Sequence, residues 1–218
     1  MDENSKILRK FNVEKNNFLH KKAIGYYVLY YLGYGRPGNP QFILTLKNTF
    51  CEKQTWELEQ AKEKVKEILC EFVPLIMERE ELSDCALVCV PRAKARNTYA
   101  DTQLYLQRAV SEAAEKMDDV WDASDAITRI KNTRTTHFKK EVERVKADGS
   151  KEANTGEKPY PGITKKTCEF DRDLIEGETV ILVDDIYTLG INIDEDCIQA
   201  LYDMGAERVI LFALSYTV

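Results

Sequence analysis

Residues 180–192, VILVDDIYTLGIN, form the most informative stretch of the sequence. Its four leading apolar residues indicate a buried strand, which delivers Asp184 and Asp185 to the strand's carboxyl end. A loop containing threonine and glycine follows and opens a helix predicted over 193–204. A further apolar run occupies 209–215, so these elements predict a parallel strand-helix-strand unit.

The middle of the chain extends this pattern. CALVCV at 85–90 is a short continuous apolar run, which is typical of a strand buried on both faces of a parallel sheet. A helix is predicted over 98–117 and a short strand at 126–131. We therefore expect an α/β fold in which a parallel sheet is flanked by helices.

The amino-terminal part predicts a cap on this core. AIGYYVLYY at 23–31 and QFILTLK at 41–47 are rich in strand-favouring residues and predict a β-hairpin with a long connection. Apolar residues at helical spacing predict a long helix over 52–76. We expect a hairpin-and-helix cap over 1–80 and a core over 81–218.

Composition excludes several classes of protein. The chain has 218 residues, of which 44% are hydrophobic and 31% charged, which excludes collagen-like and disordered chains. No apolar run approaches the roughly 18 residues of a membrane span, and the polar start lacks a signal-peptide core. We therefore expect a cytoplasmic protein without a membrane partner. Six cysteines without a C-x-x-C pair argue against a zinc ribbon.

Charge is unevenly distributed along the chain. The net charge is −6, yet residues 128–166 carry eleven Lys or Arg against five Asp or Glu. Because the chain as a whole is acidic, we do not expect nucleic acid as a partner. The basic segment can attract small molecules that carry phosphate. The polar, basic stretch at 132–165 is therefore either a lid over a ligand or a solvated charged loop.

The strand end and the following loop carry the predicted chemistry. Ligands of α/β sheets bind at the carboxyl edge, where the start of the next helix offers backbone N–H groups to an anion. Asp184 and Asp185 can accept hydrogen bonds from sugar hydroxyls while the loop over 188–192 holds a phosphate. A Walker-type nucleotide site is excluded because the sequence has no Gly-Lys-Ser or Gly-Lys-Thr. An acidic strand end that merely caps the helix is the structural alternative.

VILVDDIYTLGIN resembles the phosphoribosyl pyrophosphate (PRPP) motif of the type I phosphoribosyltransferases, which has four apolar residues, two acids and a Thr/Gly-rich loop. The order of the other pieces is similar to the ComF-like subgroup of amidophosphoribosyltransferase-like proteins. These pieces are VCVPRAKARN at 88–97, a helix, ITRIKNTRT from residue 127, a basic excursion and the motif. The resemblance weakens outside the motif and covers about residues 84–218.

The resemblance implies transfer of a phosphoribosyl group from PRPP to a nitrogen nucleophile with release of pyrophosphate. It assigns the catalytic role, contact with the ribose hydroxyls, to Asp184 and Asp185. It implies Mg²⁺ held through substrate and water near these carboxylates, with no direct metal ligand in the protein. The ligand would be PRPP or another molecule containing ribose 5-phosphate, and a homodimer is left open.

The resemblance also implies the remaining ligand contacts. The 5-phosphate would be bound by Thr188, Leu189, Gly190, Ile191 and Asn192. The pyrophosphate would be bound by Arg92, Lys94 and Arg96, although a solvated basic turn is the alternative for these three residues. The predicted lid offers Arg129, Lys131, Arg134 and His137.

The sequence departs from the family pattern at several positions. Leu189 and Ile191 stand where the family usually has small residues, and Asn192 stands where Ser or Thr is usual. The cysteine pairs that bind zinc in many ComF-like proteins are absent. Two other functions are compatible with the same motif: a regulator that senses PRPP or a nucleotide without turnover, and a defence effector that consumes nucleotides.

Overall fold

The computed structural model describes residues 6–136 and 143–218. Its main elements are, in chain order, β1 Arg9–Val13, β2 Ala23–Tyr31, α1 Gln41–Lys47, α2 Thr55–Arg79, β3 Cys85–Cys89, α3 Tyr105–Ala114, β4 Val120–Asp122, β5 Ile127–Arg129, β6 Glu143–Val145, β7 Lys151–Ala153, β8 Cys168–Phe170, β9 Thr179–Tyr187, α4 Ile193–Asp203 and β10 Arg208–Thr217.

Six of these strands form a mixed sheet in the order β1-β2-β10-β9-β3-β4. The β1–β2 pair is antiparallel, whereas the other four pairs are parallel. The expected α/β class with helices around a sheet is therefore confirmed, and the sheet is mostly rather than wholly parallel. The finer expectation of a phosphoribosyltransferase-like fold stays a prediction.

The apolar runs predicted as strands at the centre of the sheet are confirmed. All five residues of β3 are buried, and β9 and β10 are buried through most of their lengths. β9 does not end before the acids but continues to Tyr187, so Asp184 and Asp185 lie within the strand. The predicted helix at 98–117 is shorter, because two 3-10 turns, Arg96–Thr98 and Asp101–Gln103, precede α3.

The predicted strand at 41–47 is wrong, because this segment forms helix α1. Pro40 precedes the helix with φ −66°, and the buried residues Ile43 and Leu46 are one helical turn apart. These two side chains join the core cluster that contains the apolar face of α2. Tertiary packing therefore overrides a local preference for strand. The antiparallel partner of β2 is instead β1, a short strand with few apolar residues.

Two apolar layers enclose the sheet. One layer holds side chains of α1, α2 and α3, and the other holds side chains of α4 and of the segments around 123–127 and 163–175. β1 and β2, which belong to the predicted cap, lie in the same sheet as β3 and β9. Loops that leave the carboxyl ends of the parallel strands therefore meet at one edge of the molecule.

The basic excursion, residues 132–165, contains the small antiparallel pair of β6 with β7, and a second antiparallel pair, β5 with β8, flanks it. Its described residues are hydrogen-bonded to the loop after β3. The Thr133 amide donates to the Ala93 carbonyl at 2.8 Å, and the Ala147 amide donates to the Thr98 carbonyl at 3.2 Å. The predicted lid thus lies against the same loop that carries the predicted pyrophosphate ligands.

Candidate functional site

The carboxyl ends of β3 and β9 border a topological switch point. From β3 the chain passes through α3 to β4 on one side, whereas from β9 it passes through α4 to β10 on the other. α3 and α4 pack on opposite faces of the sheet. At such a point the two outgoing loops diverge and leave a crevice, which is the usual ligand position in open α/β sheets.

The two predicted loops flank this crevice. The Val90 amide donates to the Val183 carbonyl at 3.0 Å, so the chain leaves β3 directly beside the residue before Asp184. The loop after β3 carries Arg92, Lys94 and Arg96, and the end of β9 carries the two aspartates. The acids and the basic turn are thus neighbours in space although they are far apart in sequence.

Asp185 forms an ion pair that the sequence does not predict. Its Oδ2 lies 2.8 Å from Nζ of Lys47, the last residue of α1. Burial alone would lower the pKa of Lys47, but the neighbouring charges of Asp185 and then Asp184 outweigh this effect and raise it. The ammonium group is therefore charged, and it lies partly exposed beside Asp185.

Asp184 faces a second carboxyl group. It shares a hydrogen bond with Asp194, in the first turn of α4, whose side chain is buried. Burial and the nearby charge of Asp185 raise the pKa of Asp184 to about 7. Burial, followed by the charge of Asp184, also raises the pKa of Asp194. The raised pKa values favour a retained proton on the pair near neutral pH, so that the pair carries less negative charge than two free aspartates.

The first turn of α4 is acidic throughout, because Glu195 and Asp196 follow Asp194 and are buried. The Glu195 carboxylate accepts a hydrogen bond from the Tyr187 hydroxyl at 3.0 Å. Asp196 accepts hydrogen bonds from the backbone amides of Gly162 and Ile163 at 2.6 and 2.9 Å. Burial raises the pKa of both carboxyl groups. The helix dipole stabilises negative charge at this end of α4, but the same charge repels an anionic ligand. A carboxyl group that keeps its proton repels the ligand less.

The loop between β9 and α4 has the backbone shape expected of an anion-binding turn. Gly190 has φ +85°, and no atom lies within 4 Å of the position a Cβ would take there. The Ile191 amide donates to the Thr188 carbonyl at 3.0 Å, which closes the turn. The Leu189 side chain is 75% exposed. An open, glycine-containing turn before a helix leaves backbone room for a phosphate.

The side chains of this loop are partly engaged with neighbouring elements. The hydroxyls of Thr188 and Thr217 lie 2.7 Å apart, which ties the loop to the end of β10. Asn192 accepts a hydrogen bond from the Asn16 side chain at 3.0 Å. Within the described part of the chain, the Asn192 side chain makes no capping hydrogen bond to α4. Binding by this loop would therefore depend mainly on backbone N–H groups.

Two of the three predicted pyrophosphate ligands are engaged with backbone carbonyls. The Arg92 guanidinium donates to the Gln103 carbonyl at 2.5 Å and to the Lys47 carbonyl at 2.7 Å. Lys94 is 2% exposed, and its Nζ donates to the carbonyls of Thr133 and Thr155 at 2.8 and 2.5 Å. Their assigned contacts with pyrophosphate stay predictions.

Arg96 is the exposed cation of this turn, and its guanidinium donates to the Gln107 side chain at 2.5 Å. Of the lid candidates, Arg129 is buried and donates to the carbonyls of Arg92 and Gly162 at 2.7 and 2.6 Å. Lys131 is exposed and Arg134 half-buried, and His137 lies outside the described residues. Arg96, Lys131 and Arg134 are therefore the most accessible cations of the predicted set.

The resemblance implies Mg²⁺ near Asp184 and Asp185, and the side chains around these residues bear on this expectation. Among residues 6–136 and 143–218, no group of three or more His, Cys, Asp or Glu side chains is arranged to hold a metal ion. Asp185 is paired with Lys47, and Asp184 shares a hydrogen bond with Asp194. These residues do not fit direct coordination of Mg²⁺ by the protein.

Two residues of this site were missed by sequence reasoning. Asp194 belongs to the acidic run IDED directly after the motif, and that run is the signal that could have identified it. Lys47 belongs to a segment predicted as a strand, and no local pattern connects it to Asp185. Through these contacts Lys47 balances the charge of Asp185, and Asp194 forms with Asp184 an acidic pair in which both pKa values are raised.

Comparison with known proteins leaves the family open: no family model matches this chain, and no curated protein matches it significantly. In residues 6–136 and 143–218, every helix is too short or too polar to cross a membrane.

Proposed function

We propose that this protein is a phosphoribosyltransferase that binds PRPP at the crevice between β3 and β9 and transfers the phosphoribosyl group to a nitrogen nucleophile. The observation that carries the proposal is one juxtaposition. Asp184 and Asp185 lie within the carboxyl-terminal half of β9, shortly before the open turn at Gly190, and the basic turn after β3 follows the neighbouring strand.

The arrangement suits a phosphorylated sugar better than an anion alone. Carboxylates accept hydrogen bonds from ribose hydroxyls, whereas the backbone N–H groups of the turn at 188–192 suit a 5-phosphate. Arg96 and the accessible lid cations, Lys131 and Arg134, suit the pyrophosphate. The raised pKa values of Asp184 and Asp194 favour a protonated group at this acidic edge, which lowers the repulsion that the edge would exert on the ligand.

In the proposed reaction the lone pair of the nucleophile forms a bond to C1 of the ribose. The bond from C1 to the pyrophosphate oxygen breaks, and its electron pair leaves with pyrophosphate. The nitrogen then loses a proton to solvent. Positive charge develops on the ribose ring, so carboxylates beside its hydroxyls stabilise the transition state more than the ground state.

The test measures ligand binding and turnover separately. Calorimetry with ribose 5-phosphate and with PRPP measures affinity, and pyrophosphate release with ammonia and a panel of bases measures transfer. We expect Asp185→Asn and Asp184→Asn to weaken ribose 5-phosphate binding about tenfold, because each removes a charged hydrogen-bond acceptor. Turnover should fall further than affinity, because the charge matters most in the transition state.

Asp118→Asn is the matched control, since Asp118 is exposed on the surface after α3. It should change neither affinity nor turnover. Binding without pyrophosphate release from any acceptor would identify a sensor rather than a transferase. Absence of binding at millimolar ribose 5-phosphate and PRPP, or wild-type affinity in both aspartate variants, would refute the proposed site.

A further inference from the structure

The ion pair between Lys47 and Asp185 stands where the resemblance expects a metal-assisted site. Lys47 Nζ approaches Asp185 Oδ2 to 2.8 Å, and the side chains are 37% and 21% exposed. An ammonium ion at this distance neutralises the carboxylate directly, which is the electrostatic task that a divalent cation would otherwise perform.

The backbone around Lys47 is fixed by the loop that borders the crevice. The Lys47 carbonyl accepts a hydrogen bond from Arg92, which follows β3. The next residue, Asn48, is 5% exposed, has φ 33° and donates through its side chain to the Thr102 carbonyl at 3.2 Å. Gln103 in turn donates to the Asn48 carbonyl at 3.3 Å. The ammonium is therefore delivered to Asp185 by a fixed backbone, unlike a typical surface ion pair.

The neighbouring carboxylate does not offer an alternative place for a metal. Asp184 is engaged with Asp194. Mg²⁺ gives up its water ligands reluctantly and favours sites with several free oxygen atoms. An incoming Mg²⁺ would have to displace an ammonium ion from the one remaining carboxylate.

We infer that Lys47 is the resident counter-cation of Asp185, so that the free protein holds no divalent cation there and binds ribose 5-phosphate without metal. The second half of this inference rests on the proposed function. An ammonium group has three donors, and one of them is used by Asp185. The other two N–H groups can donate to a ribose or phosphate oxygen beside Asp185, so that Lys47 contacts the ligand directly.

The first experiment uses Mg²⁺ alone and is independent of the sugar ligand. Melting temperatures are measured with EDTA and with millimolar Mg²⁺ for the wild type, Lys47→Met and Lys47→Arg. We expect Mg²⁺ to stabilise Lys47→Met, in which Asp185 has lost its cation, and to leave the wild type and Lys47→Arg unchanged.

Lys53→Met is the matched control, because Lys53 follows α1 closely and pairs with Glu57 at 3.8 Å on the surface. It loses the same charge and should respond to Mg²⁺ as the wild type does. Equal responses in Lys47→Met and Lys53→Met would overturn the inference. A wild-type response to Mg²⁺ that disappears in Asp185→Asn would overturn it as well.

The second experiment titrates ribose 5-phosphate with and without Mg²⁺. We expect equal wild-type affinity in both conditions, and about tenfold weaker binding by Lys47→Met in EDTA. Wild-type binding that requires Mg²⁺ would refute the inference while the proposed function stands. Failure of the wild type to bind in either condition would refute the proposed function and metal-free sugar binding together, and the Mg²⁺ experiment would still decide the role of Lys47 as counter-cation.

Discussion

The carboxyl group of Asp184, near the end of β9, shares a hydrogen bond with the carboxyl group of Asp194 in the first turn of α4. Such a bond exists only when one of the two groups is protonated and donates to the other. Burial is the main cause of the raised pKa of both groups. The contact between β9 and the first turn of α4 is therefore expected to depend on pH.

Replacement of Asp194 by Asn should remove this pH dependence. The folded pKa of Asp184 is raised to about 7, so the folded protein binds more protons than the unfolded chain above the ordinary aspartate pKa. Stability from the pair is therefore present at low pH and is lost as pH rises through about 7. In Asp194→Asn the side-chain amide can donate a hydrogen bond to Asp184 even when the Asp184 carboxyl group is deprotonated. We expect the variant to gain about 1 to 2 kcal/mol over the wild type at about pH 8 and much less at about pH 5.

Urea unfolding at both pH values measures this difference. Asp203→Asn, at the other end of α4, is the control and should show no pH-dependent gain. The same difference between wild type and Asp194→Asn at both pH values would contradict a shared proton.

Replacement of Lys94 by Met should loosen the basic excursion. The buried ammonium joins the carbonyls of Thr133 and Thr155 to the loop after β3, and burial lowers the pKa of this lysine. Methionine fills the space but leaves both carbonyls without this donor. We expect a loss of about 2 kcal/mol in the free energy of unfolding. Amide exchange should become faster in 132–136 and 143–155.

Hydrogen exchange with mass spectrometry locates the effect. Lys151→Met, at the exposed first residue of β7, removes a lysine from the same excursion without a buried bond and serves as the control. Unchanged exchange in these segments of Lys94→Met would contradict the role of Lys94 as a tether.

The elements that carry the candidate site could be predicted because their patterns are long or strongly apolar. β3 and residues 180–183 of β9 are continuous apolar runs, and α2 repeats its apolar residues over many turns. α1 could not be predicted in this way. Its seven residues fit the apolar periodicity of either a helix or a strand. The packing of Ile43 and Leu46 beside α2 selects the helix.

The contacts within the site were less predictable than its location. The motif places Asp184 and Asp185 at the crevice, but the partner of each depends on how distant segments pack. Lys47 reaches Asp185 because the C-terminal end of α1 is bound to the loop after β3. Lys94 is buried because the distant basic excursion covers it. The sequence around Lys94 does not show this burial, and it therefore predicts a lysine that is free to bind phosphate.

Gly190 offers a test of the turn itself, with a closely matched control in the same strand-and-loop unit. Gly190 and Gly177 have φ values of +85° and +82°, and nothing lies within 4 Å of the Cβ position at either residue. Gly177 precedes the amino end of β9, opposite the crevice. Alanine at either position should cost about 1 kcal/mol of stability, because L-residues with a side chain disfavour this conformation.

Only Gly190→Ala should weaken ribose 5-phosphate binding, because the strain it introduces shifts the backbone amides of the turn that is proposed to hold the phosphate. Calorimetry below the melting transition, combined with urea unfolding of both variants, separates affinity from stability. If Gly190→Ala bound the ligand as tightly as Gly177→Ala, phosphate binding by the turn would be refuted. If both variants lost affinity equally, the effect would come from general destabilisation rather than from the turn.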